Sequence, residues 1–203
     1  MVGNDIVDLA DPDTAGGATH PRFDERVFAA EERAWLGRNR TEERLRWVLW
    51  AAKESAFKAL KKLDPRAVFS PQRFVVRLET PSAGSVRYGA HLLSVGVKID
   101  RGACHAVTSV DVEPRTIIVS GMQRLAADVA ETPRPAARAF AIHLLAPLLG
   151  APERDLAVVS ERRVPRLHLA GRPLAADLSL SHHGRFVGFA CALGPEIVSR
   201  FAA

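Results

Sequence analysis

A chain of 203 residues with 47% hydrophobic and 25% charged side chains can bury a proper core, which excludes a disordered or fibrous protein and leaves one large domain or two small ones. The net charge of +5 favours anionic partners, whether a phosphorylated cofactor, an acidic protein or nucleic acid. Cys104 and Cys191 stand far apart, with no CxxC pair and no zinc-spaced cluster, so a reduced, cytoplasmic setting is the expectation.

Met1 to Asp5 brings an acid within five residues and lacks the basic and apolar regions of a signal peptide, so export by that route is not expected. Val2 to Leu9 reads as a short strand in which Asp5, Val7 and Leu9 share one side and Asn4, Ile6 and Asp8 the other. Residues 10–21, with Gly16 and Gly17, read as loop, and Phe23 to Trp35 as helix. Thr41 reads as an N-cap followed by Glu42 and Glu43 in a first turn. The helix it opens carries the apolar stripe Leu45, Val48, Leu49, Ala52, Ala56 and Leu60. On its neighbouring face Trp50, Glu54, Phe57, Lys58 and Lys61 recur at helical spacing. A carboxylate with an amine one turn on is most often a plain salt bridge, but it is also a pair able to hold a divalent cation and a phosphate together.

Strands then follow at 74–78, 85–88, 92–99 and 104–112, punctuated by Pro, Gly and Ser as in an antiparallel meander, with 115–119 a strand or a connecting link. Helical spacing returns over 122–129 and, more clearly, from Pro135 to Leu149, with Gly150 just past the end. The apolar run 136–150 is broken by Arg138, His143 and Pro147 and is too short to cross a bilayer, so no membrane contact is expected. Strands at 156–159, 166–169, 178–181 and 186–193 complete the chain. A principal helix with strands in each half, and a loose echo between 100–110 and 182–192, predict an α+β protein of two fused halves, 1–113 and 114–203, sharing a cleft.

Taken one by one, the candidate residues have ordinary readings. Asp5 is a strand-end acid, Arg138 a surface arginine, His182 a structural or solvated histidine, and Gly171-Arg172-Pro173 a turn. No nucleophile elbow accompanies Ser181-His182-His183, and no spaced ligand set does either, which argues against a hydrolase or a transition-metal site. No nucleic-acid motif accompanies the basic charge.

Together, Gly3-Asn4-Asp5-Ile6, the run Trp50-Ala51-Ala52-Lys53-Glu54-Ser55-Ala56-Phe57-Lys58 and the strand ending Ser179-Leu180-Ser181-His182 resemble the motifs of the 4′-phosphopantetheinyl transferase superfamily, from Val2 to about Leu193. In the larger members similar to the surfactin-synthetase activating enzyme, the Ser-x-Ser-His half comes first; here it follows, as in a circular permutation. The opening motif is also similar to that of the small holo-acyl-carrier-protein synthases, with Asp8 where those carry an acid.

The resemblance implies a pseudodimeric α+β fold, each half a long helix on antiparallel strands. It implies transfer of the 4′-phosphopantetheine arm of coenzyme A to a serine of an apo acyl or peptidyl carrier protein, with Mg²⁺, releasing adenosine 3′,5′-bisphosphate. It also implies roles by position. Asp5 and Glu54 would hold Mg²⁺, Lys58 the pyrophosphate, and Glu54 or a water would take the serine proton. His182, Ser181 and Arg138 would hold the 3′-phosphate, and Arg172 and Pro173 would lie beside the adenine, with Arg172 where the family has Lys. Asp8 has the wrong strand parity to join Asp5 at a metal. A fused pair is expected to be a monomer. The alternative is a catalytically silent relative that binds coenzyme A or a nucleotide.

Overall fold

A computed structural model describes residues 1–15, 20, 22–39, 44–126 and 132–201 and has an α+β fold. Strands β1 (Val2–Asp8), β2 (Val75–Thr80), β3 (Ala83–Tyr88), β4 (His91–Asp100) and β5 (Ala103–Ser109) form an antiparallel sheet in the order β1-β5-β4-β3-β2. Two short helices, α1 (Phe23–Val27) and α2 (Ala30–Arg38), precede the long helix α3 (Arg44–Leu63), which lies across this sheet. Val48, Leu49, Ala52, Ala56 and Leu60 of the predicted stripe are buried there, against Leu93, Val95 and Val97, which alternate along β4 as the strand period requires.

The second half holds β6 (Ile117–Arg124), the helix α4 (Pro133–Leu148), β7 (Leu156–Glu161), β8 (Val164–Leu169), β9 (Arg172–Pro173), β10 (Ala176–His183), β11 (Phe186–Leu193) and α5 (Pro195–Phe201). Its main sheet runs β10-β11-β6 and its smaller one β7-β8-β9. Ala141 and Leu145 of α4 pack on Leu178, Phe189 and Cys191. Each main sheet therefore places its opening strand beside the second strand of a later hairpin, as β1-β5-β4 and β6-β11-β10. Among the described residues no helix is long and apolar enough to cross a membrane.

Two expectations need correction. The helix predicted over 23–35 is broken at Phe28 and Ala29, because Phe28 is driven fully into the core in an extended conformation and Glu32 turns back to accept the Ala29 N–H at 2.7 Å. Met122, Gln123 and Arg124 are strand and not helix. They pair with Gly188, Val187 and Phe186, since β11 is buried along its whole length and needs a neighbour on each edge. The remainder of that predicted helix, 127–129, lies outside the described residues, as do Gly16, Gly17 and the predicted cap at Thr41 with Glu42 and Glu43. Helix α5 carried no clear signal in the sequence.

The halves are joined by polar contacts along β1. The ammonium of Lys62 donates to the Val2 carbonyl at 2.7 Å, to Asp177 at 2.8 Å and to the Leu178 carbonyl at 2.9 Å. At the other end of β1, Arg185 forks onto Asp8 at 2.7 and 2.8 Å. Burial pushes Asp8 up, but hydrogen bonds from the Arg185 side chain and backbone outweigh it and hold the carboxyl at about 2.

Candidate active site

The first half of the site begins with a glycine. A Cβ on Gly3 would lie 2.0 Å from the Ser55 carbonyl oxygen and 2.7 Å from the Ala59 nitrogen, so α3 rests directly on the β1 backbone and any larger residue would force them apart. That approach brings Lys58 onto β1, where its Nζ donates to Asp5 Oδ1 at 2.8 Å and to the Asn4 carbonyl at 3.1 Å. Glu54, one turn earlier on α3, shares the face.

These charges are unbalanced. Burial raises Asp5 above the usual carboxylate range although Lys58 opposes it. Burial, and then the neighbouring Asp5 carboxylate, push Glu54 up to about 7, again against Lys58. Two acids therefore compete for one ammonium in a half-buried corner. A hard cation would balance this donor set, since Mg²⁺ commonly takes one or two carboxylates and completes its shell with water and substrate phosphate. Among the described residues no group of three or more His, Cys, Asp or Glu gathers as a potential metal site; the two carboxylates offer oxygen donors, the ligand type that Mg²⁺ takes. In that sense the residues present fit the ion that the motifs imply.

The second half contributes a cavity of about 620 Å³ lined by Arg134, Ala137, Arg138, Ser160, Arg163, Pro165, Leu180 and His182. Arg134 and Arg138 stand one turn apart on α4, Leu180 and His182 on one face of β10, and Ser160, Arg163 and Pro165 come from the hairpin of β7 and β8. Arg138 donates to Ser160 Oγ at 2.8 Å. Among the described residues no carboxylate lines the cavity. Burial lowers His182, and Arg134, Lys58 and His183 lower it further, while Asp5 acts the other way. That His182 senses both Lys58 and Asp5 places the cationic cavity and the acid corner in one electrostatic neighbourhood.

The structure thus groups Asp5, Glu54 and Lys58 in one place and Arg138 and His182 in another beside it. Ser181 is elsewhere: the alternation of β10 turns it away from the cavity, where its Oγ accepts the Asn4 Nδ2–H at 2.6 Å and is 5% exposed. Ser179 and His183 face the same way, accepting the backbone N–H groups of Asn4 and Asp8. Arg172 and Pro173 are exposed on β9, paired with Leu169 and His168, and do not line the cavity. Asp8 is locked to Arg185 on the face opposite Asp5.

The sequence reading overlooked Arg134 and Arg163, which line the cavity, and Lys53. Lys53 is fully buried, 2.6 Å from Glu32, and also donates to the carbonyls of Pro71 and Phe74. Glu32 in turn accepts the Ala29 and Val76 N–H groups. The lysine next to Glu54 is therefore a core brace that fixes α3 against α2 and β2. Its position on the stripe with Leu49, Ala56 and Leu60 is the signal that could have found it.

Neither the curated proteins nor the solved structures returned a match. A family model described as 4′-phosphopantetheinyl transferase superfamily matches residues 1–108, the part of the chain that carries Gly3, Asp5, Glu54 and Lys58. With over half of the sequence matched and the motif residues gathered at one corner, the chain belongs to the 4′-phosphopantetheinyl transferase superfamily.

Proposed function

We propose that the protein transfers the 4′-phosphopantetheine arm of coenzyme A to a serine of an apo acyl or peptidyl carrier protein in a Mg²⁺-dependent reaction. One observation carries this reading: a corner with two carboxylates short of a cation adjoins a cavity of arginines short of an anion. Mg²⁺ with a phosphorylated nucleotide satisfies both. The halves 1–113 and 114–203 act as a fused pair, in keeping with the shared strand order of their main sheets. The working unit is a monomer in the cytoplasm; a stable trimer by light scattering would contradict that.

Asp5 and Glu54 would hold Mg²⁺, which when bound would supply positive charge at the pyrophosphate. Arg134, Arg138 and His182 receive the 3′-phosphate, orienting the nucleotide so that its pyrophosphate reaches Lys58. Lys58 is a mobile point charge that stabilises the leaving phosphate oxygen. The carrier serine Oγ attacks the β-phosphorus, the bond from that phosphorus to the bridging oxygen breaks, and adenosine 3′,5′-bisphosphate leaves. Glu54, raised to about 7, suits a group that accepts the serine proton near neutrality. Lys53 keeps α3, and with it Glu54 and Lys58, in register on the sheet.

Incubation with coenzyme A, Mg²⁺ and a set of apo carrier proteins, followed by intact-mass analysis of the carriers, tests the proposal. A carrier gaining one phosphopantetheine supports it. Coenzyme A binding without transfer to any carrier, under conditions where an active transferase modifies them, would favour the silent relative instead.

A further inference from the structure

The loop joining β7 to β8 has two residues, Arg162 and Arg163, between the paired residues Glu161 and Val164. Both are left-handed, with φ of 49° and 69°. Two-residue hairpin loops of this kind strongly favour Asn-Gly or another glycine pair, because a side chain in the left-handed region crowds its own backbone. Four other two-residue loops follow that preference, while the β2–β3 loop, Pro81-Ser82, avoids the left-handed region altogether. The loops Gly89-Ala90, Arg101-Gly102, Ala170-Gly171 and Gly184-Arg185 join paired strands in the same way, and each places glycine at a left-handed position. Only the β7–β8 loop, among these described hairpins, adopts two successive left-handed residues with no glycine. A feature that the chain avoids at comparable loops is kept here, and backbone strain of this kind persists where the side chain has a task.

The task is visible in the cavity. Arg163 lines it together with Arg134, Arg138 and His182, facing α4 from the opposite wall, whereas Arg162 does not line it. Among the described lining residues, three guanidinium groups and an imidazole stand without a carboxylate, which exceeds what a single bridging phosphate, with one charge, would balance. A phosphate monoester, carrying close to two charges and three terminal oxygens, matches them.

We propose that Arg163 is a specificity residue, held in a left-handed turn so that its guanidinium completes the arginine ring around the terminal phosphate monoester of the nucleotide substrate. The inference rests on the transferase reading above and adds to it a residue the motifs do not contain. It also makes the turn a place where stability is given up for recognition.

The test uses the full chain with the substitutions Arg163→Gly and Arg162→Gly, and reads thermal unfolding together with calorimetric binding of coenzyme A and of 3′-dephospho-coenzyme A. Each substitution removes one strained side chain, so each is expected to raise the melting temperature, by roughly 2–4 °C for a chain of this size. Only Arg163→Gly is expected to weaken coenzyme A, by roughly 10- to 100-fold, with 3′-dephospho-coenzyme A changed little. Arg163→Lys, which keeps the charge but loses the fork, should fall between. Unaltered discrimination between the two ligands in Arg163→Gly overturns the proposal, and so does an equal loss in Arg162→Gly. Failure of the unsubstituted protein to bind either ligand overturns the transferase reading and this proposal with it. Binding of both with discrimination intact in Arg163→Gly overturns this proposal alone.

Discussion

At the corner of β1 and α3 two carboxylates, Asp5 and Glu54, press on a single lysine; under α4, three arginines and a histidine line a cavity with no carboxylate among its described lining residues. In the first place burial drives both acids toward neutrality, and the Asp5 carboxylate adds to the effect at Glu54. In the second, burial and neighbouring cations drive His182 the same way. Charge elsewhere in the protein is handled differently. Lys53 with Glu32, Lys62 with Asp177 and Arg185 with Asp8 are each closed pairs with hydrogen-bonding geometry. The contrast teaches where to look for function: the closed pairs hold the halves and helices in place, while perturbed, unbalanced groups mark the candidate site.

The largest effect should come from the acid corner. Asp5→Asn removes half of the oxygen pair and should reduce transfer on the order of 100- to 1,000-fold at saturating Mg²⁺, while coenzyme A still binds through the arginines. Carrier mass shift over time measures it, and transfer within a few-fold of the unsubstituted protein would erase the distinction between the corner and the cavity. In the cavity, Arg134→Ala or His182→Ala should instead weaken coenzyme A by roughly 10- to 100-fold and 3′-dephospho-coenzyme A much less. Equal losses with both ligands would remove the 3′-phosphate from this cavity.

Much of this was legible beforehand, for physical reasons that can be named. The stripe of α3 is a periodic signal, read with the right face inward, and the strand at 92–99 was read from its composition and flanking turns. Asp5, Glu54, Lys58 and His182 carry the motif resemblance; the fold brings the first three to one corner and His182 to the cavity beside it. Ser181 lies beside His182 in sequence but on the opposite strand face, so it went to the junction with Asn4; the same parity argument used for Asp8 would have separated them. Arg134 and Arg163 were hidden because their value depends on α4 and the β7–β8 hairpin facing each other, which no local pattern encodes. Residues 122–124 were misread because a short apolar run suits either period, and only the need of β11 for a second neighbour decides it.

A smaller effect sharpens the comparison from the side of the closed pairs. The folded-state value of Asp8 is about 2, below its ordinary 3.8, so the stability it contributes is complete above about pH 4 and is lost as pH falls through about 2. With the Arg185 side chain 42% exposed, that contribution should be about 1–2 kcal/mol after allowance for solvent screening. Denaturant titrations should find Asp8→Asn less stable than the unsubstituted protein by this amount at pH 6, with the gap narrowing toward pH 2. Its transfer rate should differ least of all, by about two-fold at most, because the pair is remote from the charge that develops in the reaction. A large loss of transfer in a folded Asp8→Asn protein would move Asp8 into the metal site.

Glu54→Gln tests the central claim most directly, because it should move stability and activity in opposite directions. Gln keeps the shape and helix propensity of Glu and removes only the charge. The folded-state value of Glu54 is raised to about 7 from 4.5, so the ionised form weakens the fold as pH rises through that interval, and the loss is complete above about 7. Without Mg²⁺ at pH 8 the variant should therefore be more stable, by about 1–3 kcal/mol, since it carries no charge to bury. With Mg²⁺, coenzyme A and carrier protein supplied, the same variant should bind coenzyme A yet lose nearly all transfer. The measurement is carrier mass shift across a Mg²⁺ titration, paired with denaturant unfolding of the same preparation. A stable, coenzyme-binding, inactive Glu54→Gln protein is the expected result; near-normal transfer by that protein would contradict the account.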